Sequence, residues 1–114
     1  MGNNFILVNP EGKEYLTFLG YSKERELIGN KLTAQMIAYY LFEHNGQELY
    51  FVGDQWQVGM VFADINKIIN EYENKTLEIL NEMIQYNHIT YEELEAFSPA
   101  TKKLIDRQYG GQTE

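Results

Sequence analysis

The chain has 114 residues, 44% of them hydrophobic, and its 17 acidic and 9 basic residues give a net charge of -8. A chain of this length buries one core without staples, and the absence of cysteine removes disulfides, thiolate metal sites and thiol nucleophiles together. The acidic balance disfavours nucleic acid, whose affinity comes largely from Lys and Arg on phosphates, and suits a basic protein partner.

The opening residues MGNNFILVNPEG lack a basic stretch and have a short apolar run, so they do not read as a signal peptide. Ile6 stands where a myristoylation signal wants Ser or Thr, and the expectation is a cytoplasmic protein with no membrane attachment. Phe5-Ile6-Leu7-Val8 is β-prone, and Asn9-Pro10-Glu11-Gly12 carries the residues preferred in a type I turn. Lys13 to Phe18 returns as a second strand, which makes a β-hairpin. Ser22 to Ile28 mixes both charges and fits either one helical turn or a loop over the core.

Leu32 to His44, LTAQMIAYYLFEH, is the most continuously apolar run in the chain. Ala34, Met36, Ala38 and Leu41 favour helix, Asn30 suits an N-cap, and Asn45-Gly46 suits a left-handed stop. With no polar face between Met36 and Phe42, this helix is expected to be covered on most sides. It is too short for a membrane span, which needs about 20 apolar residues. Glu48 to Val52 is again β-prone, and Trp56, Val58, Met60 and Phe62 alternate in the next run, so a second hairpin is expected around Gly53-Asp54-Gln55.

From Asp64 the apolar period becomes helical. Ile65, Ile69, Tyr72, Thr76, Ile79, Met83 and Tyr86 form a stripe flanked by Ile68, Leu80 and Ile84. The pattern predicts a helix from Asp64 to Asn87, about 35 Å long if unbroken, whose weakest point is Glu73-Asn74-Lys75-Thr76. Thr90-Tyr91-Glu92-Glu93 is a capping box opening a short helix to Ala96, and Ser98-Pro99 opens another to Gln108. Residues 110–114 read as a flexible tail.

Catalytic residues are few. His44 and His88 both fall where helices end and are expected to bond terminal carbonyls. Neither histidine belongs to a His-x-x-x-His or Glu-x-x-His spacing, and neither Ser22 nor Ser98 has a nucleophile-elbow setting. No catalytic residue, metal ligand or cofactor site is assigned. The nearest approach to chemistry is Asp54 with His44 or Glu48, and a Gly-Asp pair in a hairpin is ordinarily turn chemistry.

Phe5 to Asn9, then Lys13-Glu14-Tyr15, then the apolar helix, then Tyr50-Phe51-Val52-Gly53-Asp54 resembles a group of small bacterial proteins. That group opens on aromatic-Leu-Val-Asn…Lys-x-Glu-Tyr and has a later strand ending in Gly-Asp. The resemblance covers residues 5–54 and departs in having no Trp in the loop before Glu48. It implies a bacterial or phage origin and an α+β fold, and it attaches no activity.

The expected architecture is one α+β domain, residues 1–109. Two β-hairpins form a mostly antiparallel sheet packed on a central helix at 31–44, and a helical half follows at 64–108. The expected function is non-catalytic protein binding of an immunity or inhibitor kind that masks a basic partner. Asp64 to Glu95 holds eight carboxylates against Lys67 and Lys75, so Glu71, Glu78 and Glu82 are the candidate masking residues. Asp54 and Trp56 are further partner-binding candidates. The alternatives are a small enzyme using Asp54, and a structural protein that forms a homodimer through the helix 64–87. That dimer would bury Ile79, Met83, Ile84 and Tyr86 on the part of the helix projecting past the domain.

Overall fold

Phe5–Asn9 forms a strand, β1, in which every residue is buried. In the computed structural model, which describes residues 4–54 and 64–109, β1 lies inside a sheet. β2 (Glu14–Leu16) pairs antiparallel with it across the turn at 10–13, which is the expected first hairpin. β3 (Tyr50–Gly53) pairs antiparallel with the other side of β1, and β4 (Glu73–Asn74) adds to β2 in parallel, so the strand order is β3-β1-β2-β4. The strand expected at Trp56 to Phe62 lies outside the described residues. The fold is α+β, as the alternation of patterns predicts.

Residues opposed across a sheet share a face. Leu7, Leu16 and Phe51 therefore look to one side, and Ile6, Val8, Tyr15 and Val52 to the other. Two helices, α1 (Glu24–Gly29) and α2 (Lys31–Glu43), serve the first side, where α2 reaches the sheet through Tyr40 beside Asn9. α3 (Ile65–Glu71) covers the second. There Ile6, Val8, Tyr15, Val52 and Ile68 make a buried cluster, with Ile65 and Tyr72 packed against it. Apolar contact on both faces explains why β1 reads as an unbroken apolar run with no alternation.

α2 corrects one expectation. Its buried residues are Leu32, Thr33, Met36 and Tyr40, a single face, while Leu41 and Phe42 are exposed, Phe42 to 82%. Asn30 occupies the N-cap but makes no side-chain capping bond. Instead the Thr33 hydroxyl lies 3.0–3.1 Å from the carbonyls of Glu26, Leu27 and Asn30 and ties α2 to α1. The chain leaves α2 as expected, through Gly46 at φ +93°.

The predicted helix from Asp64 to Asn87 is not one helix. Asp64 caps α3 by accepting from the backbone of Asn66 and Lys67, but α3 ends at Glu71, and Glu73–Asn74 pairs with β2. The break falls at the expected weak point. The Asn74 carboxamide accepts from the Thr76 amide at 2.9 Å and from its hydroxyl at 2.6 Å, while the Thr76 hydroxyl accepts from the Thr17 amide at 2.8 Å. In α3 the buried residue is Ile68, and Ile69 of the predicted stripe is exposed.

The chain is organised as two compact units, Met1–Thr76 and Leu77–Glu114. The described second unit holds α4 (Thr76–Gln85) past its first residue, α5 (Tyr91–Phe97) and α6 (Pro99–Gln108). Ile79, Leu80, Met83, Ile89, Leu94 and Ile105 are buried. Each such side chain contributes about 1.5–3 kcal/mol when fully removed from water. The capping box forms as read: the Thr90 hydroxyl accepts from the Glu93 amide at 3.0 Å, and the Glu93 carboxylate accepts from the Thr90 amide at 2.9 Å. Ser98 caps α6 in front of Pro99, and Asn87, at φ 65°, stops the turn after α4. Residues 110–114, read as a tail, lie outside the described residues.

Candidate functional site

Two places in the first unit bring chemistry-bearing side chains together. The first is a polar cluster at the turn end of the β1–β2 hairpin. Asn9 is buried, accepts from the Gly12 amide at 3.1 Å, and donates to the Gln47 side chain at 2.8 Å and to the Tyr40 hydroxyl at 3.2 Å. A Cβ at Gly12 would stand 3.0 Å from the Asn9 carboxamide nitrogen, so a larger residue there would have to push the Asn9 side chain aside by a few tenths of an ångström. Tyr40 in turn donates to Glu14 Oε1 at 2.8 Å. The His44 ring stacks on Tyr40 at 3.9 Å, with Nδ1 3.0 Å from the Tyr40 carbonyl and Nε2 3.6 Å from Glu14 Oε1. Lys75 Nζ lies 4.0 Å from Glu14 Oε2 and 3.4 Å from Glu73.

Burial pushes the Tyr40 phenol well above its ordinary range. The Glu14 carboxylate, as acceptor and as negative charge, adds to the shift, and the Asn9 hydrogen bond opposes it. Tyr40 is therefore a fixed donor at neutral pH. Both nitrogens of His44 already face protein partners, and Glu14 faces Tyr40, His44 and Lys75. The cluster thus joins the hairpin turn, the C-terminal end of α2, the Gln47 loop and β4.

The second place is a groove of about 500 Å³, lined by Phe5, Glu24, Leu27, Ile28, Ile37 and Phe51. β1 and β3 provide its floor. Phe5 and Phe51 meet edge to face with ring centroids 6.4 Å apart, and Phe18 lies 6.5 Å from Phe51 on the same side. α1 and α2 supply the walls, and Ile28 stands 73% exposed at the margin. Glu24 is the one charged residue among its described lining. With few polar groups to orient a ligand, such a surface accepts apolar side chains and draws positive charge to one point.

The residues singled out from the sequence do not converge. Asp54 accepts from the Asn4 amide at 3.0 Å and its carboxamide at 3.2 Å, fastening the start of β1 to the end of β3. Glu48 accepts from the Tyr50 hydroxyl at 2.8 Å, and His44 belongs to the Glu14 cluster, so Asp54, Glu48 and His44 engage three separate sets of partners. Trp56 lies outside the described residues. Glu71 is on α3 and lines a smaller cavity of about 280 Å³ with Lys67, Ile68, Tyr72 and Tyr50, whereas Glu78 and Glu82 are on α4 in the other unit. The single acidic helix face expected from Glu71, Glu78 and Glu82 therefore does not exist.

Met83 is buried to 1% exposure and Ile79 is buried too, so neither is offered to a partner; Ile84 is half-buried and Tyr86 is 67% exposed. The dimer expected through a continuous helix 64–87 loses both its long helix and its central apolar residues. Among the described residues no group of three His, Asp or Glu side chains is placed to hold a metal, and no helix is long and apolar enough to cross a membrane.

The groove was not foreseen. Its residues come from β1, α1, α2 and β3, and the one local signal was Leu27-Ile28 at the end of a mixed-charge stretch. Fold and groove together define a small α+β chain with an apolar groove open to solvent. The chain matches no protein-family model, no curated protein and no solved structure.

Proposed function

We propose that this protein is a non-catalytic protein-binding module that takes apolar side chains of a partner into the groove between α1, α2 and β3. The observation that carries this reading is the groove itself: about 500 Å³, walled by Phe5, Leu27, Ile28, Ile37 and Phe51, with Glu24 as its described charge. Apolar surface of this kind left open to water is normally covered by another molecule. The partner is basic where it meets Glu24, because a chain of charge -8 speeds the approach of cations and repels acidic competitors. The reading keeps the masking role but moves it from the acidic helix to the groove. The engagement of His44, Glu48 and Asp54 with three different partner sets supports leaving out a catalytic role.

Selection of a displayed peptide library on the immobilised protein tests it. Enriched peptides should combine large apolar residues with Lys or Arg, and their affinity should fall at least about tenfold in Ile28→Glu, the loss expected when an interface anchor is removed. Glu24→Lys should weaken them further. No enrichment, or peptides indifferent to both substitutions, rejects the proposal.

A further inference from the structure

The outward face of α2 is a second apolar surface, which borders the groove along Ile37 and turns away from it through Ala38 and Phe42. Ala34, Ala38, Leu41 and Phe42 recur at helical spacing and lie opposite the buried Leu32, Met36 and Tyr40. Ala38, Leu41 and Phe42 are all exposed, and Phe42, at 82%, is the most exposed large apolar side chain in the described residues. From Leu32 to Phe42 the helix carries no charge at all. Single exposed apolar residues are ordinary, whereas two large ones beside small ones on a charge-free face form a surface suited to another helix.

We infer that this face binds a second copy of the chain, α2 against α2 in antiparallel, about a two-fold axis through Ala38. Two features of the face select that occupant. The first is shape. Phe42 and Ala34 stand four residues either side of Ala38, so a two-fold there lays each Phe42 over the partner copy's Ala34. Ala38 then meets its own copy at the axis, where the absence of bulk lets the helices approach to about 8 Å. The large side chain and the space for it are thus related by the symmetry itself. Lys31, on the same face, falls opposite Asn45 and meets no like charge.

The second feature is charge. Two chains of -8 repel over most of their surfaces, and a basic partner finds no carboxylate between Leu32 and Phe42 to bind. An identical uncharged face is the partner that this face neither repels nor leaves with an unpaired ion. Phe42 does not line the groove and Ile28 is not on α2, so the two contacts are tested by different substitutions and one can fail without the other.

Light scattering between 5 and 200 µM in about 150 mM salt, where repulsion beyond ~8 Å is screened, is the first measurement. The mass should rise from 13.4 kDa towards twice that value. Phe42→Glu should raise the dimer dissociation constant about 30-fold or more, with far-UV circular dichroism unchanged because the residue is exposed. The missing cysteines give a second readout. Ala38→Cys should oxidise to a disulfide-linked dimer, because a two-fold at residue 38 brings the two Cβ atoms together, while Glu95→Cys, at an exposed position on α5, should form no such disulfide link under the same oxidation. A monomer at 200 µM, a dimer unaffected by Phe42→Glu, or equal cross-linking of the two cysteine variants overturns the inference. Peptide binding at the groove measured on Phe42→Glu separates the two surfaces, since it should be unchanged.

Discussion

Tyr40 shows how much one hydroxyl joins. It accepts from Asn9, donates to Glu14, and its ring carries His44, so one residue of α2 touches the hairpin turn and the strand that follows it. Tyr40→Phe keeps the ring stack and removes the donor, leaving a half-buried carboxylate short of a hydrogen bond. It should cost about 1–3 kcal/mol in urea denaturation with the slope unchanged. A second prediction follows from the raised pKa. Folded Tyr40 holds its proton where the unfolded phenol releases it near 10.0, so its contribution is complete below that pH and is lost progressively as pH rises from there towards the raised folded value.

The urea midpoint of the native protein should therefore fall between pH 9 and 11 more steeply than that of Tyr40→Phe. Tyr50, raised by its bond to Glu48, is exposed and present in both proteins, so it cancels in the difference. Parallel pH curves would show that Tyr40 ionises alike in both states. Little of this cluster was legible beforehand. The contact of His44 with a helix-end carbonyl was, because it is local. The Tyr40–Glu14 bond spans 26 residues, and no period in a sequence reports a side-chain pair that a fold brings together.

Among the elements, the short local ones were legible and the long one was not. The first hairpin, the α5 capping box and the Ser98-Pro99 start were each specified by residues within a turn of one another. The stripe from Ile65 to Tyr86 kept its helical period across a segment that is in fact strand, because α3 and α4 each have apolar faces that add up to one apparent repeat. What ends α3 is the pairing of Glu73–Asn74 with β2, a contact 59 residues distant in sequence at Glu14. Thr76 holds that junction. Its hydroxyl is the acceptor for the Thr17 amide, so Thr76→Val, nearly isosteric, leaves a backbone N–H without a partner and should cost about 1–3 kcal/mol. Hydrogen exchange at the Thr17 amide should speed up selectively, and unchanged protection there would mean that the side chain does not maintain the break.

At the scale of the whole molecule the α+β class was legible from the alternation of patterns, but the surfaces that bear on function were not. An apolar residue in sequence does not say whether the fold covers it, and Phe42 and Ile28 differ from Met36 and Leu27 only in the direction their helices turn them. Charge is the one global property that the sequence states outright, and it makes the last prediction. Added salt screens both attraction and repulsion beyond about 10 Å at 0.1 M, so it should act with opposite sign on the two proposed contacts. A basic peptide in the groove loses the pull of Glu24 and of the -8 field, and its affinity should drop about three- to tenfold between 20 and 300 mM salt. Two copies meeting through the uncharged α2 face lose only their mutual repulsion, and their association should hold or tighten severalfold over the same range. Titration calorimetry for the peptide and sedimentation equilibrium for the dimer read the two slopes on one preparation. A dimer that dissociates as salt rises would place ion pairs at its interface, which the face from Ala34 to Phe42 does not contain, and would send the search for the self-contact to another surface.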